Sequence, residues 1–299
     1  MSHQFRGMVL VLALIVTLPF ASWASNSGQN QSAADSTGPA ILLVTFGTSV
    51  PSAQAAFVTI EKRVKAVFPD SEIRWAYTSK MIRKKLAKSG TMIDSPETAL
   101  ARLMDDGYTK VVVQSLHMIP GAEFHELYAN TKLFGQIAGG FDQVLVANPL
   151  LVSDEVMEQV IKAIVVNVVP KERKPEEAVI LMGHGTHHPS DAIYSALMYK
   201  MQKKDANMYI GTIAGNPTFG EVKDMLLQKK IKKAYLIPFM TVAGEHAMKD
   251  MAGDEANSWK SQLAKEGIES VPVFRGLAEF DPIVDFWIEN LKSVMARVK

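Results

Sequence analysis

Three side chains that could bind a metal ion each follow an apolar segment of this sequence. His184 lies in the run GHGTHH, and His246 and Glu123 each stand two residues after a glycine. Imidazole and carboxylate together suit a divalent first-row ion such as cobalt, nickel, iron or zinc. Neutral imidazole, with a pKa of about 6.5, also accepts protons near neutral pH. These residue types therefore predict a site that holds a divalent metal and removes protons from its substrate.

Each of these residues also has an ordinary structural interpretation. A helix dipole favours an acid such as Glu123 in the first turn of a helix, and Glu126 is an alternative to it at this position. His246 could be a first-turn histidine, and the glycine-rich run around His184 could be a turn in which one histidine caps the next helix. The placement of two histidines at the ends of neighbouring predicted strands favours a functional site.

Metal binding and proton removal occur together when a metal is inserted into a tetrapyrrole. The ring loses both of its inner N–H protons as the metal leaves its protein ligands, so the same imidazoles could serve as ligand and base. Two further histidines have open roles. His125 could be a surface residue, or a ligand for a metal or haem at a subunit contact, and His117 could belong to the core or line a cleft.

The sequence contains two related halves. The stretch AILLVTFGTS begins at Ala40, and a similar stretch, AVILMGHGTH, begins at Ala178. A second pair of strand-like segments, beginning at Lys110 and Lys233, each runs on to a glycine. Each stretch is typical of a buried strand that ends in a turn, so the halves are predicted to share one scaffold.

The two halves carry unlike residues at equivalent positions. When the glycines of the matching turns are aligned, Phe46 falls opposite His184, and Glu123 falls opposite His246. The second half would therefore supply both histidines, and the first half an acid and an aromatic ring. This predicts a metal held mainly from one side of a cleft.

Apolar strand patterns alternate with amphipathic helix patterns along the chain. Runs such as Ile41–Val44 and Val111–Val113 are apolar throughout, which is typical of parallel strands covered on both faces. Strands are predicted near 40–46, 72–77, 110–116, 142–147, 178–182, 207–213, 233–238 and 269–273. Helices are predicted near 52–68, 95–106, 122–138, 153–168, 189–204, 217–230, 246–266 and 280–298.

The predicted fold class is α/β, with two pseudo-symmetric, doubly wound lobes built on parallel sheets and a cleft between them. The N-terminal lobe would span 39–169 and the C-terminal lobe 176–299, because a proline- and charge-rich linker separates them. Ligands of open parallel sheets bind at the carboxyl ends of the strands. The histidines and the glutamate follow such ends, so the cleft is the predicted site.

Composition excludes several classes of function. The net charge of +1 gives no electrostatic reason for a nucleic-acid partner, and the absence of cysteine excludes thiolate metal sites and thiol catalysis. The sequence also lacks the glycine-rich motifs of dinucleotide- and ATP-binding proteins. Any metal must therefore be held by histidine and carboxylate.

The first residues are typical of an exported protein. His3 and Arg6 precede an apolar run at 8–20, and the segment 21–24 then supplies small residues, Ala21, Ser22 and Ala24, at positions that signal peptidase needs. This run is shorter than the roughly 20 residues of a membrane-spanning helix, so we expect a signal peptide at 1–24 rather than an uncleaved anchor. Residues 25–38 are predicted to form a disordered tether. The expected location is the periplasm, with no membrane span after cleavage.

Four motifs together resemble the anaerobic sirohydrochlorin cobaltochelatases, which are relatives of ferrochelatase. The resemblance covers residues 39–299 and is carried by TFGTS at 45–49, QSLHMIPGAE at 114–123, GHGTHH at 183–188 and PFMTVAGEHA at 238–247. It implies a two-lobed chelatase fold and ATP-independent insertion of Co(II), with Fe(II) as an alternative metal, into sirohydrochlorin for cobalamin biosynthesis. This sequence differs from the family in its signal peptide, because family members are usually cytoplasmic.

The resemblance also implies roles for individual residues. His184 and His246 match the metal-binding, proton-accepting histidines of the family, and Glu123 matches its acidic residue, with Glu126 left open. We expect a homo-oligomer whose partners are sirohydrochlorin and a divalent metal. Two rival functions are a periplasmic carrier of metal, tetrapyrrole or haem without turnover, and a haem-binding assembly in which His125 bridges subunits.

Overall fold

A computed structural model describes residues 38–299. The predicted signal peptide at 1–24 lies outside the described residues, as does all of the predicted tether except residue 38. Within the described part of the chain, no helix is both long enough and apolar enough to cross a membrane.

Two four-stranded parallel sheets form the framework, and they share one topology. The first has the order β2-β1-β3-β4 and the second the order β6-β5-β7-β8, so equivalent strands occupy equivalent places. The α/β prediction with two pseudo-symmetric parallel sheets is confirmed. The strands are β1 (Ala40–Thr45), β2 (Ile73–Tyr77), β3 (Lys110–Ser115), β4 (Gln143–Ala147), β5 (Ala178–Gly183), β6 (Met208–Thr212), β7 (Lys233–Pro238) and β8 (Glu269–Pro272).

Helices connect the strands, and several begin at caps visible in the sequence. Ser95 accepts a hydrogen bond from the amide of Thr98, and Ser153 accepts one from the amide of Val156. Each cap satisfies a backbone donor that a helix start leaves free. The α-helices are α1 (Pro51–Val67), α2 (Lys80–Lys88), α3 (Pro96–Asp105), α4 (Ala122–Phe134), α5 (Asp154–Asn167), α6 (Ala192–Lys204), α7 (Phe219–Gln228), α8 (Trp259–Lys265) and α9 (Asp281–Met295).

Two helix predictions need correction. Helix α2 was not predicted, because its charged sequence buries just two residues, Ile82 and Leu86, four positions apart. The single helix predicted at 246–266 is wrong, since a π-helical turn at Ala247–Met251 ends well before α8. After the π-helical turn, the backbone of Gly253 packs so closely on it that an added Cβ would lie 2.5 Å from the carbonyl oxygen of Lys249.

The last helix of the chain packs against the first sheet. Helix α9 contacts β3 and β4, and helix α5 contacts both α6 and α9, so one apolar cluster includes residues of both halves. Arg63 of α1 also reaches Asp281 at the start of α9, with 3.2 Å between Nη1 and Oδ1. The boundary between 169 and 176 separates the strands of the first sheet from those of the second. The division of the chain into two domains at this boundary stays a prediction.

Candidate functional site

A cavity of about 660 Å³ lies between the two halves, at the carboxyl ends of the strands. Its volume falls within the roughly 300–1,000 Å³ that small-molecule sites occupy. Loops that follow β1, β3, β5 and β7 supply most of its walls. The lining includes Phe46, Gly47, His117, Glu123, His184, Tyr194, Phe239, Met240, His246 and Asp250.

The backbone around His184 requires glycine. Gly185 has a φ of +81°, and an added Cβ would lie 2.6 Å from the amide nitrogen of Gly215. The exposed imidazole of His184 has Nδ1 3.0 Å from the carbonyl oxygen of Gly185. A carbonyl can only accept a hydrogen bond, so Nδ1 carries the proton and Nε2 of the neutral ring keeps its lone pair. That lone pair can bind a metal ion or a proton.

Asp191 holds the loop that carries His184. Its Oδ1 accepts a hydrogen bond of 3.0 Å from the amide of Thr186, and its Oδ2 accepts one of 2.7 Å from the amide of Asn216. These two bonds tie the loop after β5 to the loop after β6. The carboxylate thereby fixes the backbone next to the imidazole.

His246 follows β7 and is oriented by an acid on the adjoining π-helical turn. Its Nδ1 lies 2.6 Å from Oδ2 of Asp250. The carboxylate accepts the Nδ1 proton, which orients the ring and leaves the Nε2 lone pair facing the cavity, as carboxylates do behind metal-binding histidines. The rings of His184 and His246 meet edge to face, with centroids 5.2 Å apart.

Glu123 lies in the first turn of α4, across the cavity from His246. Its Oε2 lies 3.2 Å from Nε2 of His117. Burial alone raises the pKa of Glu123, but its interactions with His117 and with the hydroxyl of Thr78 outweigh burial and bring the pKa below its usual value. Glu123 is therefore an anion at neutral pH.

The matching segments of the two halves contact each other crosswise. Phe46 and His184, equivalent in the alignment, lie with ring centroids 6.0 Å apart. A Cβ added to Gly121 would lie 3.6 Å from Oγ1 of Thr186 in the opposite half. In the equivalent contact with the halves exchanged, a Cβ added to Gly244 would lie 3.2 Å from the hydroxyl of Thr48. The Gly-Thr turn of each half thus packs against a glycine of the other half.

The structure brings together three of the predicted site residues and leaves two outside. His184, His246 and Glu123 line the cavity, whereas Glu126 and His125 are exposed and do not line it. Among residues 38–299, no group of three or more His, Cys, Asp or Glu side chains is close enough to hold a metal. The three residues face one space without forming a closed coordination shell.

Other residues of the site were not predicted. Asp250 was missed, although its spacing of four from His246 on a helical turn was a usable signal. Tyr194 packs under the His184 loop, and burial raises its pKa to about 12. Glu245 lines the cavity and pairs with Lys85 from α2 of the other half, a contact without any local sequence signal.

The sequence matches known families over almost the whole described region. The family described as cobalt chelatase (CbiK) matches residues 39–296. Sirohydrochlorin cobaltochelatase CbiKC of Nitratidesulfovibrio vulgaris is 38% identical over 256 residues, covering 86% of this chain and 90% of that protein. The sirohydrochlorin cobaltochelatase of Salmonella typhimurium is 33% identical over 258 residues, covering 86% and 96%.

Solved structures support the same fold. SirB from Bacillus subtilis with Fe³⁺ superposes with a TM-score of 0.58 at 15% identity, covering 87% of this chain and 96% of that one. CbiX, described as the terminal enzyme of sirohaem biosynthesis in denitrifying bacteria, gives a TM-score of 0.54 at 17% identity, covering 85% and 98%. At these identities the likeness concerns the fold alone.

Proposed function

The chain belongs to the cobalt chelatase (CbiK) family, and on that premise we propose that it inserts Co(II) into sirohydrochlorin without ATP, as a sirohydrochlorin cobaltochelatase of cobalamin biosynthesis. One observation carries the proposal. His184 and His246 meet in a cavity between the two halves, and the Nδ1–H of each donates a hydrogen bond to a fixed oxygen. Both Nε2 atoms are therefore available to the substrate metal or to a proton.

The cavity offers acceptors for the protons that the ring must lose. As Co(II) moves from the imidazoles to the ring, each neutral Nε2 that it leaves can accept one of the inner N–H protons. Glu123 approaches from the other half as an anion, so it can attract the metal or accept a proton. Aromatic and thioether walls from Phe46, Phe239 and Met240 suit the face of a flat macrocycle.

Iron is the alternative substrate metal. Imidazole and carboxylate bind Fe(II) as well as Co(II), so selectivity depends on geometry and supply rather than on these ligand types. Parallel assays with the two metals, at matched free concentrations and without oxygen, would give the ratio of their kcat/KM values.

A turnover assay tests the proposed reaction and its main rival. Purified protein mixed with excess sirohydrochlorin and Co(II) should change the visible spectrum through many equivalents of product per chain. A periplasmic carrier would bind metal or tetrapyrrole and stop at one equivalent, with no acceleration over the uncatalysed reaction. That second outcome would overturn the enzymatic proposal and favour transport.

We further propose that the mature protein acts in the periplasm. The support is the sequence of residues 1–24, with a basic start, a short apolar run and small residues before Ser25. Protein recovered from a periplasmic extract should begin at Ser25 by N-terminal sequencing. A chain that keeps its first residues and fractionates with the cytoplasm would contradict this location.

Haem binding at a contact between subunits of a homo-oligomer stays a separate proposal. His125 is exposed, and its Nδ1 lies 2.9 Å from the carbonyl oxygen of Gly121, which leaves Nε2 free for an axial bond. Its ring also stacks on that of His188, at 4.3 Å between centroids. Purified protein should then show a haem Soret band that His125→Ala removes, and a colourless wild-type protein that takes up no added haem would refute it.

A further inference from the structure

An ion pair joins the two halves at the edge of the cavity. Glu245, which lines the cavity directly before His246, pairs through Oε1 with Lys85 of α2. Lys85 lies one helical turn after Met81, which also lines the cavity. Glu245 Oε2 lies 3.9 Å from Nζ of Lys249, one turn further along the π-helical segment. One carboxylate thus engages two lysines from opposite halves.

The charges that line the cavity do not by themselves suit an acidic ligand. Among the described residues that line it, Glu123, Glu245 and Asp250 are acids, and Lys249 is the sole lysine or arginine. Sirohydrochlorin carries acetate and propionate groups around its ring, so it is a polyanion. A carboxylate entering this cavity would meet more negative than positive charge unless cations at the edge were released to it.

Glu245 already pairs with the two lysines, Lys85 and Lys249, that such a ligand would need. Its carboxylate has the same chemistry as a peripheral carboxylate of the tetrapyrrole, and it sits where the two halves meet at the edge of the cavity. Lys85 and Lys249 have long, exposed side chains that can follow a different acceptor over a few ångströms. The exchange of one carboxylate for another would keep both ammonium groups paired.

We propose that Glu245 is a placeholder for a peripheral carboxylate of the tetrapyrrole. Glu245 pairs with Lys85 and Lys249 before the substrate binds, and on binding it yields them to the substrate. This inference rests on the proposed function, because it takes the ligand to be a polycarboxylate tetrapyrrole. Glu245 is then a specificity-determining residue, because only a ring with peripheral carboxylates can take over the two lysines that Glu245 releases.

Metal-free binding of sirohydrochlorin tests the placeholder apart from catalysis. Glu245→Gln keeps the side chain's size but releases both lysines, so the Kd for sirohydrochlorin should fall by roughly twofold to fivefold, the range of a single partly exposed ion pair. Lys85→Met should raise the Kd by a similar factor. When Glu245→Gln is made in the Lys85→Met background, the fall in Kd that it causes should be smaller, because one of the two released lysines is absent.

Two controls keep the outcomes distinct. Glu266→Gln removes an ion pair of 3.7 Å with Lys223 that lies away from the cavity lining, and its Kd should match that of the wild type. Thermal unfolding of each variant shows that the fold is retained. If Glu245→Gln binds sirohydrochlorin equally or more weakly than the wild type, the pair is a structural link between the halves and the placeholder is refuted. If the wild type itself binds no sirohydrochlorin, the proposed function fails instead.

Discussion

The imidazoles of His184 and His246 stand edge to face, with centroids 5.2 Å apart and planes inclined at 72°. They come from loops after two neighbouring strands of the second sheet, β5 and β7. Each donates its Nδ1–H to a fixed oxygen, a backbone carbonyl in one case and a carboxylate in the other. The two Nε2 atoms thus keep lone pairs that can bind a metal ion or a proton.

Removal of either histidine should abolish most of the chelatase activity. We expect His184→Ala and His246→Ala to lower kcat/KM for Co(II) insertion by at least about 100-fold, the lower end of the effect of losing a general base. The visible spectrum of the cobalt product measures the rate. Full rates in both variants would show that the site is misassigned.

The acid of the first half can be identified by a matched pair of variants. Glu123→Gln should lower kcat/KM by about 10-fold or more, because it removes the anion that faces the histidines across the cavity. Glu126→Gln changes an exposed acid three residues later on the same helix and should leave the rate within about twofold of the wild type. A loss confined to Glu126→Gln would reverse the assignment.

Asp250 should act through His246 as a positioning residue. Asp250→Ala should weaken Co(II) binding by about 10- to 100-fold, since the Nδ1 proton loses its acceptor. Asp250→Asn should cost less, because its amide oxygen can still accept that proton. Titration of the Co(II) visible absorption without tetrapyrrole measures the affinity. In a His246→Ala background the Asp250 effect should disappear, and an additive effect would refute the pairing.

Gly185 should be intolerant of any side chain. Gly185→Ala forces an alanine into a left-handed backbone conformation, which costs about 1–2 kcal/mol. Its Cβ would also clash with the backbone of Gly215. Gly90→Ala is the matched control, because Gly90 has a φ of +86° with no atom within 4 Å of the added Cβ. Denaturant unfolding should show a larger loss for Gly185→Ala, and equal losses would mean that the close contact with Gly215 costs nothing.

Arg173, in the linker between the two sheets, forms an ion pair with Asp205. This pair should make the free energy of unfolding depend on pH. Burial alone raises the pKa of Asp205, but the hydrogen bond from Arg173 outweighs it and brings the pKa below its usual value. A carboxyl with a depressed folded pKa stabilises above its unfolded pKa of about 3.9 and loses that contribution as the pH falls through the folded pKa.

Asp205→Asn tests this dependence directly. It should lower the free energy of unfolding at pH 7 by about 1.5–3 kcal/mol, the usual contribution of a hydrogen bond to a charged group. The difference from the wild type should shrink as the pH is lowered below about 4. Denaturant unfolding across this range measures it, and a constant difference would show that the charge of Asp205 is irrelevant.

Much of the fold could be predicted because strand and helix patterns are local. Apolar runs such as Ile41–Val44 identified all eight strands, and the doubled stretch predicted two related halves, which the structure shows as two sheets with the same strand order. The placement of His184, His246 and Glu123 around one cavity followed from a general property of parallel sheets, whose ligands bind at the carboxyl ends of strands. Helix α2 escaped prediction because two buried residues give a weak periodic signal.

By itself the sequence determined the two halves, the strand ends and the residue types that they carry. The tertiary structure decided how the halves meet: it packs α9 on the first sheet, sets each Gly-Thr turn against a glycine of the other half, and pairs Lys85 with Glu245. These contacts join residues more than 60 positions apart, where no periodicity or cap relates one residue to the other. They depend on the relative orientation of two sheets, which is fixed by side-chain packing over a shared core rather than by any local pattern.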